Sequence, residues 1–320
     1  MFPIFLKTLA IFLMIFAGYL IRRLKVVDES FNRQLALLLI NLFYPALILS
    51  SMVRNYTFES LVTNWTLPTG ACIIICTGWA LGRLVMPWLQ QQPEMLRHTF
   101  HFQCTMNNYS FLPIMLVSGL LGERAVAQVV FASLGAEVAM WTLGVQALTG
   151  HAVSQRTIRN LFSMPMAALA LAIGLLTCRF LLTQMGAPVS NPPAAPRLVG
   201  EMLLNTFQMI GQATIPISAV ICGSRMATLE ADHLFSCPIF GVLGMRLLAI
   251  PALAICLLSL LPLSHPTEQV LMVIAVQPCS LASVTMAEIY KTDARFAAAA
   301  ILITHAACLM TIPIWLHFIL

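Results

Sequence analysis

Two short stretches of the chain combine proline with neutral side chains that donate and accept hydrogen bonds. Proline lacks an amide hydrogen and its ring obstructs the carbonyl four residues earlier, so each stretch should interrupt a helix. The freed amide groups carry partial positive charge and attract a carboxylate without any buried Arg or Lys. The sequence therefore predicts a binding site for a small organic anion. Its candidate ligands are Asn107, Asn108, Tyr109, Ser110 and Pro113, followed by Gln277, Pro278, Ser280 and Ser283.

These polar side chains have an alternative interpretation. Membrane helices commonly use such groups to satisfy the backbone that a proline disrupts, with no ligand involved. The sequence leaves both interpretations open.

Two ionisable residues, Glu137 and His305, stand inside long apolar stretches. Ionisable groups at membrane depth are expensive, usually face an interior cavity, and often relay protons. Histidine suits this task because free imidazole titrates near neutrality. We predict that the two residues couple the protein's activity to protons. The alternative is a hydrogen bond between helices, worth about 0.6 kcal/mol on average.

The other reactive side chains do not indicate an enzyme. The nine cysteines fall within or at the ends of apolar stretches, where free cysteine packs as a small hydrophobe. His98 and His101 share a helix face but lack the glutamate of a zinc-hydrolase helix. No glycine-rich phosphate loop and no dinucleotide fingerprint occurs in the sequence. We therefore expect no catalytic residue, no metal site and no cofactor.

The composition defines the elements that must position these residues. Apolar residues make up 59% of the chain and charged residues 9%, whereas soluble domains carry about 25% charged residues. Several uncharged stretches reach the roughly 20 residues that carry a helix across a bilayer. The sequence predicts an all-α polytopic membrane protein whose partner is the lipid bilayer. Its ten predicted transmembrane segments are residues 3–21, 31–53, 64–86, 98–119, 124–148, 160–180, 198–223, 235–260, 269–289 and 296–319.

The basic residues of the loops predict the orientation. Lys and Arg are enriched in cytoplasmic loops, and eleven of them lie on one side of the predicted segments against five on the other. Both termini are therefore predicted on the non-cytoplasmic side of the plasma (inner) membrane. The scatter of these charges through the loops also argues against a nucleic-acid partner. The richer side carries Arg22, Arg23, Lys25, Arg33, Arg83, Arg97, Arg156, Arg159, Arg225, Lys291 and Arg295.

Prolines at matched positions predict an internal repeat. Pro45 and Pro216 are 171 residues apart, and Pro113 and Pro278 are 165 apart. Glu137 and His305 are separated by 168 residues, an intermediate spacing. Residues 1–150 and 151–320 are therefore predicted to be two five-helix repeats of one membrane domain. With five spans each, the second must insert upside down, which is the architecture of many secondary transporters.

The stretch from Asn107 to Pro113 resembles the Asn-to-Pro crossover segment of the auxin efflux carrier family. The prolines of segments 2 and 7, and Val276-Gln277-Pro278 with Ala287-Glu288, are also similar to that family. The resemblance implies ten helices in two inverted sets of five. It also implies that broken crossover helices 4 and 9 meet beside the substrate, between a scaffold (helices 1, 2, 6 and 7) and a mobile unit (the other six).

The chain departs from this family pattern at two places. The loop between segments 5 and 6 is short, which points to the bacterial type that carries organic acids. Gln277, Ser280 and Ser283 stand where the family usually offers an Asn near the second proline, which leaves the substrate open.

The main functional hypothesis is a secondary carrier that exports or exchanges a small organic anion, such as a carboxylic acid. The alternatives are a sodium-coupled symporter of the bile-acid type and a non-transporting membrane sensor. Coupling to protons or sodium and assembly as a homodimer stay open, as does the direction of flux.

Overall fold

A computed structural model describes residues 2–151, 163–185, 194–228 and 236–319. All regular structure in these ranges is helical, apart from one isolated antiparallel bridge between Asn107 and Cys279. The main helices are α1 (Phe2–Arg23), α2 (Glu29–Asn55), α3 (Thr66–Val85), α4 (Glu94–Thr105), α5 (Phe111–Leu120), α6 (Glu123–Thr149), α7 (Met164–Gln184), α8 (Ala194–Gln212), α9 (Thr214–Met226), α10 (Cys237–Leu258), α11 (His265–Ala275), α12 (Ser283–Ile289) and α13 (Ala294–Ile319).

Within the described ranges, seven helices are long and apolar enough to cross a membrane. They are α1, α2, α3 with its flanking turns, α6, α7, α10 and α13, and they overlap predicted segments 1, 2, 3, 5, 6, 8 and 10. The described part of the chain therefore has the helical character and the several membrane-length apolar helices that its composition predicts. Residues 160–162 of segment 6 and residue 235 of segment 8 lie outside the described part of the chain.

Segments 4, 7 and 9 each consist of two shorter helices. Segment 4 contains α4 and α5, segment 7 contains α8 and α9, and segment 9 contains α11 and α12. The break in segment 7 is a single turn residue, Ala213, and Pro216 accounts for it because it has no amide to donate to Gln212 four residues earlier. The breaks in segments 4 and 9 are longer, spanning residues 106–110 and 276–282.

Three of the long helices contain a π-helical turn. These turns are Leu39–Phe43 in α2, Met140–Gly144 in α6 and Met245–Ala249 in α10. Those in α2 and α10 come directly before Pro45 and Pro251, and the amides of Tyr44 and Ile250 bond five residues back. Single π-turns often mark functional sites, and each of these three carries a residue that contributes to the region described below.

Helices α1 and α9 approach each other through glycine. A side chain at Gly223 would overlap the carbonyl oxygen of Ile15, and one at Gly18 would overlap that of Val220. Small residues at such contacts allow membrane helices to pack backbone against backbone. Glycine at these two positions therefore allows the backbones of α1 and α9 to pack closely.

We expect Gly223→Ala to destabilise the protein by about 3 kcal/mol, the upper part of the usual range for overpacking, since the obstructing atoms belong to the backbone. The matched control is Gly174→Ala in α7, where a Cβ would meet nothing within 4 Å. That change should stabilise the helix by roughly 0.5 to 1 kcal/mol. Thermal unfolding in detergent measures both variants, and equal unfolding temperatures would contradict the predicted packing.

Candidate functional site

The breaks of segments 4 and 9 contact each other in the interior. The amide of Asn108 donates to the carbonyl of Pro278 at 2.9 Å, and the amide of Ser280 donates to that of Met106 at 3.2 Å. These bonds flank the bridge between Asn107 and Cys279. Backbone groups freed at membrane depth need partners inside the protein, and here each break supplies them to the other. We call residues 106–110 and 276–282 the paired breaks.

Two amide side chains donate hydrogen bonds to backbone carbonyls in the last turn of α11. Asn107 donates from Nδ2 to the carbonyl of Ile274 at 2.6 Å, and Gln277 donates from Nε2 to that of Val273 at 2.6 Å. The first of these carbonyls lies four residues before Pro278, which cannot donate to it. Both side chains are fully buried. Their NH₂ groups therefore satisfy backbone that the proline and the break leave open.

A cavity of about 250 Å³ adjoins the paired breaks. Both breaks contribute polar groups to its lining, Asn108, Tyr109 and Ser110 on one side and Ser280 on the other, and Tyr44, Glu137 and Ser163 add polar groups from other helices or their ends. The side-chain nitrogen Nδ2 of Asn108 is buried and has no hydrogen-bond partner within the described residues. This amide therefore keeps unused donor capacity beside the cavity.

Glu137 is the acidic residue of this cavity. Its carboxylate lines the cavity and accepts a hydrogen bond of 2.8 Å from the hydroxyl of Tyr109. Met140 and Trp141, in the π-turn that follows Glu137, line the same space. No Lys or Arg of the described part of the chain forms an ion pair with Glu137. The site thus joins an acid, a phenol and an amide around one space.

The structure separates the predicted site residues into two groups. Asn108, Tyr109, Ser110, Ser280 and Glu137 line the cavity. The other predicted site residues do not line the cavity. They are Asn107, Pro113, Gln277, Pro278, Ser283 and His305.

Besides Asn107 and Gln277, two more members of the second group have clear local partners. Ser283 donates from its hydroxyl to the carbonyl of Ser280 at 2.6 Å, at the start of α12. His305 is fully buried in α13, where Nδ1 lies 2.9 Å from the carbonyl of Ile301. Its other ring nitrogen, Nε2, has no partner in the described ranges. Glu137 and His305, paired by sequence spacing, therefore occupy different surroundings.

Arg246 is a residue that the sequence analysis left without a role. It lies in the π-turn of α10, is fully buried, and donates from Nη1 to the carbonyl of Cys104 at 2.9 Å. Cys104 is in the last turn of α4, where carbonyl groups without partners carry partial negative charge that a cation stabilises. Among the described residues, Nε and Nη2 of Arg246 have no partner. The sequence feature that could have indicated a role for Arg246 is its position as a single arginine inside an otherwise apolar segment.

Comparison with known proteins decides the family. A sequence profile of the membrane transport protein family matches residues 3–164 and 152–316. The chain belongs to this family, that of the auxin efflux carriers. The resemblance inferred from residues 107–113 is therefore confirmed.

Two relatives show how far the similarity extends. An uncharacterized transporter of Methanocaldococcus jannaschii is 21% identical over 317 residues, which cover 96% of each chain. Protein PIN-LIKES 1 of Arabidopsis thaliana is 24% identical over 102 residues, which cover 32% of this chain and 21% of the plant protein. The family consists of membrane transporters and not of enzymes.

Proposed function

We propose that this member of the auxin efflux carrier family is a secondary active transporter that exports or exchanges a small organic anion such as a carboxylic acid. The observation that carries the proposal is the cavity to whose lining both of the paired breaks contribute polar groups. Asn108 supplies a free amide donor, and α5 begins beside the cavity at Phe111. The N-terminal turn of α5 adds partial positive charge on that side.

The mechanism we propose is alternating access at the paired breaks. Ten transmembrane helices would form two inverted five-helix repeats, residues 1–150 and 151–320, with segments 4 and 9 as the broken crossover helices. Two observations support this arrangement. The breaks follow α4 and α11, which occupy corresponding places in the two halves, and the backbones pair around Asn107 and Cys279. Inverted-repeat transporters place substrate where such discontinuous helices meet.

We further propose a plasma (inner) membrane location with both termini on the non-cytoplasmic side. The support is the excess of Lys and Arg in the loops of one side. The loop with Arg156 and Arg159, which lies outside the described residues, should face the cytoplasm. A reporter fused after Leu320 should then be active only in a form that works outside the cytoplasm. Activity of a strictly cytoplasmic reporter at that position would contradict the orientation.

Asn108→Ala tests the proposed site directly. A hydrogen bond contributes about 0.5 to 1.5 kcal/mol to an uncharged group and about 1.5 to 3 kcal/mol to a charged one, so the loss should weaken anion affinity by a factor of about 2 to 100. The readout is counterflow in liposomes with a panel of organic acids, together with affinity measured on folded protein in detergent.

Gln277→Ala is the matched control for Asn108→Ala. Gln277 is equally close to the paired breaks but lies outside the cavity lining, and its side chain bonds to the carbonyl of Val273. Its removal should lower the unfolding temperature and change affinity far less than Asn108→Ala does. Unchanged affinity in both variants would place the binding pocket elsewhere.

A further inference from the structure

A second cavity of about 200 Å³ adjoins the cavity at the paired breaks. Ile40, Phe111, Leu281 and Ala282 line both. The boundary that the two cavities share is entirely apolar. Movement of these side chains would join the two spaces into one elongated chamber with an apolar middle.

Each end of this chamber carries one ionisable residue of opposite sign. Glu137 lies in the first cavity and Arg225, on α9, lines the second. A small organic anion placed beside Glu137 meets a carboxylate, whereas the same anion beside Arg225 meets a guanidinium. Like charges repel and opposite charges attract most strongly where water is excluded. The negative group of a ligand should therefore bind at the Arg225 end of the chamber.

Arg225 retains free hydrogen-bonding capacity. Its Nη1 lies 3.5 Å from the carbonyl of Leu281 and 3.5 Å from the hydroxyl of Thr285, which is the long limit for such bonds. A guanidinium has five donors in a planar fork that matches a carboxylate. In the described part of the chain Arg225 forms no ion pair. Its side chain is half-buried, so a ligand can reach it.

A basic surface lies next to this end of the chamber. Arg22, Arg23 and Lys25 line a surface pocket together with Asp28 and with Ala227 and Thr228, which follow Arg225 in the chain. Arg22 is paired with Glu29, and the three basic residues still outnumber these two acidic ones. A net positive charge raises the local concentration of anions. The same end of the chamber can therefore attract an anion and hold it.

We propose that Arg225 anchors the carboxylate of the transported anion and selects its shape, an inference that rests on the proposed function. The apolar body of the ligand lies along Ile40, Phe111 and Leu281. The opposite end of the ligand carries a hydroxyl, which donates to the Glu137 carboxyl group and accepts from Nδ2 of Asn108. The ligand class is thus an organic acid whose carboxylate and polar end are separated by an apolar spacer.

A series of equal chain length tests this assignment. The probes are hydroxyhexanoate, the diacid adipate and hexanediol, each titrated against the full-length protein in detergent at neutral pH. The wild-type protein should bind the hydroxy acid at least tenfold more tightly than the diol, which lacks a carboxylate for Arg225. It should also prefer the hydroxy acid to the diacid, whose second carboxylate meets Glu137.

Arg225→Gln should abolish the preference for the hydroxy acid over the diol, and Arg225→Lys should retain part of it because the charge remains. Arg23→Gln removes the same charge from the neighbouring surface pocket and should keep the preference. Unfolding temperatures of all variants show that the comparison concerns folded protein. An undiminished preference in Arg225→Gln, or an equal loss in Arg23→Gln, overturns the anchor.

Counterflow of a broad panel of organic acids separates this inference from the function on which it rests. If wild-type protein exchanges an acid and Arg225→Gln exchanges it with the same affinity, the anchor is wrong and the carrier function stands. If no acid of the panel is exchanged, the proposed function is wrong and the anchor is wrong with it.

Discussion

Glu137→Gln is expected to make anion binding independent of pH and to uncouple accumulation of the substrate from a proton gradient. Glu137 lines the same cavity as the free amide of Asn108. At a separation of about 10 Å, set by the apolar spacer between Glu137 and a carboxylate at Arg225, and an effective dielectric constant of about 20, two negative charges repel by roughly 2 kcal/mol. Protonation of Glu137 should therefore strengthen anion binding by a factor of about 20. The affinity for the anion should therefore rise as the pH falls.

Glutamine reproduces the neutral form of this residue. Its side-chain amide keeps an oxygen that can accept the hydrogen bond from Tyr109. In the wild-type protein the Tyr109 hydroxyl donates this bond to Oε1 of Glu137 at 2.8 Å. The variant should bind the anion tightly at every pH, exchange it in counterflow, and fail to accumulate it when a proton gradient is imposed. Affinity measured across pH, with uptake into liposomes under an imposed gradient, checks all three statements.

His305→Ala is the comparison that distinguishes the two ionisable residues. The sequence predicts both as coupling residues, but His305 lies outside the cavity lining and contacts the carbonyl of its own helix at Ile301. We expect its variant to keep the pH dependence. Loss of pH dependence in His305→Ala with retention in Glu137→Gln would assign coupling to the histidine. Uptake that follows a sodium gradient and ignores a proton gradient would favour the sodium-coupled alternative instead.

The two stretches of the candidate site could be predicted from sequence because proline has a local effect. Pro113 and Pro278 each remove one backbone donor, and the polar residues around them mark where the helix is interrupted. The roles of adjacent residues could not be predicted in this way. Asn107 bonds to the carbonyl of Ile274 while Asn108 faces the cavity. Their directions depend on a non-helical backbone that is set by pairing with residues 278–280.

The π-turns show a second limit of sequence periodicity. Met140 and Trp141 reach the cavity, and Arg246 reaches the end of α4, from turns in which the backbone bonds five residues back. A pattern based on 3.6 residues per turn places residues after such a turn on the wrong face. The sequence therefore predicted the apolar segments of α6 and α10 but not which of their side chains approach the paired breaks.

Arg246→Met is expected to weaken anion binding while leaving the stability of the fold unchanged or higher. Burying an ion costs several kcal/mol even after relaxation. The bond from Arg246 to the carbonyl of Cys104 returns about 1.5 to 3 kcal/mol, as is typical for a charged donor. Methionine fills the space with a flexible apolar chain and leaves one carbonyl without a partner, at about 1 to 3 kcal/mol. These opposing effects nearly cancel.

The expected effect of Arg246→Met on anion affinity is not offset in this way. Met106 follows Cys104 by two residues and accepts the hydrogen bond from Ser280, which lines the cavity. At about 8 Å and an effective dielectric constant of about 20, one positive charge attracts a monovalent anion by roughly 2 kcal/mol. Its removal should lower affinity by a factor of about 30, and the exposed carbonyl end of α4 adds repulsion. Arg246→Lys keeps the charge and should keep most of the affinity. Titration of the anion and thermal unfolding of the same samples decide the matter, because a large fall in unfolding temperature with unchanged affinity would make Arg246 a packing residue alone.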